Sequence, residues 1–132
     1  MTRATAPVLA TLLLSAAAGA ASTGDAAFEA KYREADANRR TSEGAAYDGA
    51  MARAFDTTEV RAALGRCLQA HPGPQALRGY FTVLGVDAYQ LELRPRGPLA
   101  SCVERALEGR RGVPLPPRTP WLNQFDFVVE GG

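Results

Sequence analysis

The feature that most constrains this chain is a helical pattern that occurs twice and carries both of its cysteines. In "VRAALGRCL", Val60, Ala63, Leu64, Cys67 and Leu68 recur at i, i+3, i+4, i+7 and i+8. In "LASCVERALEG", Leu99, Cys102, Val103, Ala106 and Leu107 follow the same spacing. Each set forms one face of an α-helix. Two narrow apolar faces of this kind need a shared surface to bury them, and the segments between and after them have to supply it.

Those segments read as strands. Residues 77–84 are apolar and β-prone, and "GVDA" is a turn in which Asp87 has an ordinary turn role. Tyr89, Leu91 and Leu93 then alternate with Gln90, Glu92 and Arg94, which gives one buried and one wet face. Pro95 ends this second strand. "NQFDFVVE" predicts a third, with Phe125, Phe127 and Val129 on one face and Asp126 turned to solvent. The helices have their own punctuation. Asp56 with Glu59 three residues later predicts a capping box at the first helix, and "HPGP" ends it. Pro98 suits the first turn of the second helix and Gly109 the position just past its end. Glu104, Arg105 and Glu108 are expected to be solvated surface charges. "GVPLPPRTPW" reads as a stiff loop rather than a polyproline ligand, with Trp121 covering one end of the core. The predicted fold class is α+β, in the order α-β-β-α-β over residues 57–132. Its two helices pack on one face of a small three-stranded antiparallel sheet.

The first 56 residues are different in kind. "MTR" followed by the uncharged apolar run "APVLATLLLSAAAGA" reads as a signal peptide over residues 1–20, with cleavage after Ala20. The run is too short to span a bilayer comfortably. Residues 21–56 form a helical or partly disordered lead-in. Phe28, Tyr32 and Ala35 recur at helical spacing, as do Tyr47, Met51 and Phe55, and "NRRTSEG" separates the two patches. Loose docking on the domain is expected. The reading implies a periplasmic or secreted bacterial protein without stable membrane insertion after cleavage. Removing Arg3 with the signal leaves 14 basic against 14 acidic residues, so the basic excess of a nucleic-acid binder is missing.

Export permits oxidation, so Cys67 and Cys102 are expected to form a disulfide if both helices lie on the same sheet face. Such a bridge would contribute roughly 3.5–4 kcal/mol by chain-entropy reasoning, a large share for so small a core. Two alternatives stay open. A thiol enzyme would use His71, the one histidine, as base. A metal site would combine Cys67, Cys102 and His71 with a carboxylate. His71 precedes Pro72 and is expected past the helix end, and both cysteines are expected on buried sides without a Cys-x-x-Cys pairing. No phosphate loop, nucleophile elbow or His-Glu-x-x-His occurs. Arg94, Arg96, Arg110 and Arg111 are expected to be a solvated rim. The expectation is therefore a non-enzymatic protein without cofactor or metal.

In order, "VRAALGRCL", "LRGYFTVLG", "LASCVERALEG" and "VPLPP" before "FDFVV" resemble a TonB C-terminal-like domain. They are most similar to the AgmX/PglI-type C-terminal domain of bacterial envelope proteins. In that pattern each helix carries a cysteine, at positions matching Cys67 and Cys102. The resemblance implies binding of an envelope protein or cell-wall component, through a sheet edge. Phe125, Phe127 and Val129 of the third strand are the candidate partner-binding residues, because an edge strand presents unpaired backbone groups. TonB itself has an uncleaved anchor and a long proline-rich spacer. Neither is predicted here, so energy transduction is not implied. A small exported inhibitor or immunity protein is the rival reading.

Overall fold

The computed structural model describes residues 17–73 and 75–130. The predicted signal peptide lies outside the described residues except for 17–20, whose backbone opens the first helix. Four helices and three strands follow in the order α1 (Ala17–Arg39), α2 (Ser42–Phe55), α3 (Thr58–Ala70), β1 (Gln75–Gly85), β2 (Ala88–Arg94), α4 (Pro98–Leu107) and β3 (Trp121–Val129). The expected α-β-β-α-β order is present as α3 to β3. The strands form one antiparallel sheet in the order β2-β1-β3.

Alternation in β1 divides the sheet into two faces. Leu77, Phe81 and Val83 point to one side, where they meet α3, α4 and α2 in the main core. Val60 and Cys67 of α3 and Leu99, Val103 and Leu107 of α4 are buried there, as their spacing predicts. The lead-in is helical and is not loosely docked. Tyr47 and Met51 of α2 belong to this same core. On the other side, Tyr80 and Leu122 meet Phe28 and Ala35 of α1 in a second cluster. Phe28 is 3% exposed, and burying such a ring contributes about 1.5–3 kcal/mol. The wet face expected from the alternation of β2 is therefore partly covered. Arg94 lies over the Phe28 ring at 4.6 Å and Arg78 over the Tyr32 ring at 4.9 Å, so the long side chains of this face pack on the helix.

Two glycines are sites of close approach. A Cβ on Gly79, in the central strand, would lie 1.9 Å from the Glu92 carbonyl oxygen, and one on Gly44 would lie 1.7 Å from that of Asn38. Gly44 thus lets α2 start tightly against the end of α1. Thr41 caps α2 by accepting the Gly44 N–H at 3.0 Å.

Three local expectations are confirmed and one shifts. Pro98 is at the first turn of α4, and Gly109 follows it with φ 67°. Trp121 is 1% exposed at one end of the core. The cap of α3 is Thr57, not Asp56: its Oγ1 accepts the Val60 N–H at 3.2 Å. Asp56 instead ends α2 and pairs with Arg61. The capping box fails because Val60, which has no side-chain oxygen, occupies the position three residues after the true cap.

Candidate functional site

The strand order places β3 at an edge, since among the described residues only β1 pairs with it. Which of its backbone groups face outward follows from one contact. Asn38 Nδ2 of α1 donates to the Leu122 carbonyl at 2.9 Å. In an antiparallel strand the N–H and C=O of one residue point the same way, and direction alternates along the chain. Leu122, Gln124, Asp126 and Val128 therefore face outward, while Asn123, Phe125 and Phe127 bond to β1. The Gln124 carbonyl has a long 3.4 Å contact from Asn123 Nδ2. Among the described residues, the backbone groups of Asp126 and Val128 have no partner.

Beside this open stretch lies an apolar hollow of about 410 Å³. Phe125 and Phe127 line it from the sheet, Phe55 from α2 and Leu64 from α3. These four side chains are half-buried. Their rings form a stack of contacts: Phe125 lies 5.4 Å from Phe81 and 6.3 Å from Phe127, and Phe55 lies 5.2 Å from Phe81. The hollow is polar at one end, where the Asp48 carboxylate accepts from Asn123 Nδ2 at 3.0 Å. Asp48, Asp56 and Arg39 also line it, with the Asp56 carboxylate paired to Arg61.

On the opposite face of β3, the Tyr32 hydroxyl donates to Asp126 Oδ1 at 2.7 Å. Burial, followed by this bond to a carboxylate, pushes the Tyr32 hydroxyl above the usual phenol range. Glu29 forms an ion pair with Arg78 on the same face. The hydrogen bond from Arg78 holds its carboxyl below the usual range.

Of the sequence-predicted partner residues, Phe125 and Phe127 come together in the hollow. Val129 shares their face but lies beyond it, paired with Gln75 at the strand end. Phe55, Leu64, Asp48 and Asn123 were missed as site residues. Phe55 and Leu64 were legible only as members of helix stripes, since nothing local tells a half-buried stripe residue from a core one.

Cys67 and Cys102 form a disulfide with their Cα atoms 5.7 Å apart, joining α3 to α4. Neither sulfur is a free thiol. Cys67 is 1% exposed, whereas Cys102 is half-buried and not fully on the buried side. His71 caps the end of α3, with its N–H donating to the Cys67 carbonyl at 3.0 Å. No group of three or more His, Cys, Asp or Glu side chains among the described residues could hold a metal ion.

Glu104 is not a solvated surface charge. Its side chain is 15% exposed, it pairs with Arg96, and its Oε1 accepts the outward Leu93 N–H of β2 at 3.2 Å. Asp87 has more than a turn role as well. At φ 55° it holds the proline-rich loop through both its N–H and its carboxylate, at 3.1 and 2.7 Å from Val113.

No protein-family model matches the chain, and neither a curated protein nor a solved structure is significantly similar to it.

Proposed function

We propose that this chain is an exported, non-enzymatic bacterial domain that binds an envelope protein or cell-wall component through the edge of β3. The observation that carries the reading is the run of unpartnered backbone groups at Asp126 and Val128 beside the hollow lined by Phe125 and Phe127. An extended segment added to β3 would gain main-chain hydrogen bonds and could place alternate side chains in the hollow. The disulfide is compatible with an oxidising compartment. No helix among the described residues is long and apolar enough to cross a membrane. The order α3-β1-β2-α4-β3 supports the resemblance to TonB C-terminal-like domains.

Proline at Val128 tests the reading. It removes one outward N–H and leaves the β1–β3 ladder intact, because the Val128 amide does not face β1. Phe127→Pro is the less selective variant, since it breaks the ladder itself. The wild-type chain should capture a partner from envelope extract, and Val128→Pro should lose it at unchanged stability. Equal capture by Val128→Pro would overturn strand addition. N-terminal sequencing of the exported protein should begin at Ala21.

A further inference from the structure

Arg66 of α3, Arg105 of α4 and Arg110 of the following loop line a shallow hollow of about 280 Å³ that also contains both cysteines. They lie far apart in sequence, and the packing of α3 on α4 brings them together. None of the three forms a salt bridge among the described residues. Arg110 Nε donates to the Ala106 carbonyl at 2.9 Å, which anchors its side chain beside the bridge. Three arginines without salt-bridge partners among the described residues thus line a hollow at a disulfide whose Cys102 is half-buried and whose Cys67 is buried. Like charges gathered in this way favour an anion between them. They also favour a thiolate over a thiol.

We propose that the Cys67–Cys102 bridge is a thiol–disulfide exchange site selective for anionic thiols, with Arg66, Arg105 and Arg110 recruiting the anion. The ligand class is a small thiol that bears carboxylate groups. Its thiolate attacks Cys102 Sγ, a new S–S bond forms, and the old bond breaks with its electron pair passing to Cys67 Sγ. A second thiolate attacks the ligand sulfur of this mixed disulfide, releasing Cys102 as thiolate and the ligand as its own disulfide. Two thiols are oxidised and the bridge is reduced by two electrons. The protons lost by the two thiols balance those taken up by the two cysteines. Attack falls on Cys102 because Cys67 is buried. The inference is independent of what binds β3.

The test compares reduction of the intact protein by mercaptosuccinate, 2-mercaptoethanol and cysteamine, with each rate divided by the thiolate concentration present. The anionic reagent should react about five- to tenfold faster than the neutral one, and the cationic reagent should be slowest. The preference should collapse in high salt. It should also collapse in the Arg66→Gln/Arg105→Gln/Arg110→Gln variant. A purely structural role would change all three rates together and leave their ratio intact. The salt series uses the wild-type chain, so the test does not depend on the variant folding. A ratio near one, or one that persists in salt, overturns the proposal. So does an alkylation-trapped adduct that maps to Cys67 alone.

Discussion

Along β2 the outward Leu93 amide is bonded to Glu104, and the Tyr89 hydroxyl ties the strand to the Leu107 carbonyl and the Arg110 N–H. Along β3 one side chain, Asn38, takes the Leu122 carbonyl, and beyond it the outward groups of Asp126 and Val128 have no partner among the described residues. Both are edge strands of one small sheet. The difference comes from what lies next to each. Helix α4 follows β2 directly and returns beside it, so its side chains reach the strand. α1 covers the face of β3 and reaches its edge at one end. An unpaired edge is a liability that proteins normally cover; under the proposed function the partner segment would cover that of β3.

The largest expected effect comes from cutting the staple that holds α4 against α3. Cys67→Ser and Cys102→Ser should each lose about 3.5–4 kcal/mol, and the double variant should lose no more. Denaturant unfolding measures this, and clearly additive losses would contradict a single shared bond. Next is the cover of β2. Glu104→Ala should cost about 1.5–3 kcal/mol, because a charged acceptor is withdrawn from the Leu93 amide. In the wild type, hydrogen exchange should show Leu93 protected and Asp126 and Val128 unprotected. In Glu104→Ala, Leu93 should join the fast group. Protection at Val128 equal to that at Leu93 would erase the contrast between the edges.

Asn38→Ala should cost about 0.5–1.5 kcal/mol and extend the exposed part of β3 to Leu122. Partner capture should then be retained or increased, and its loss would mean that α1 is part of the binding surface. The smallest effect is an alkaline one. Burial pushes the hydroxyls of Tyr47 and Tyr80 to about 12. Both fold in the neutral form with pKa values above the unfolded value near 10. Their contribution to stability is therefore complete below pH 10 and is lost as pH rises through 12. Absorbance of tyrosinate against pH in the folded protein checks this, and ionisation of all four tyrosines near 10 would contradict it.

Several site residues were legible because their signals are local. Phe125 and Phe127 alternate with Asp126, and that period alone puts both rings on one face of β3. The stripes of α3 and α4 likewise placed Cys67 and Cys102 on facing surfaces. Glu104 was misread for the complementary reason. Its spacing on α4 is that of a surface charge, and only the position of β2 shows that a backbone amide lies within reach. The cap of α3 shifted by one residue because Asp56 and Thr57 are both good cap formers, and the path out of α2 decides between them.

The sequence by itself determined the order α-β-β-α-β after the lead-in, the apolar faces of its two helices, and a pair of cysteines placed to bridge them. These follow from periodicities of 3.6 and 2 and from the rarity of one residue type. Tertiary structure decided that Glu104 bonds the β2 edge at Leu93, what the lead-in covers, and that Arg66, Arg105 and Arg110 line the hollow at the bridge. Those features depend on which element lies beside which, and contacts between residues distant along the chain leave no local pattern in it.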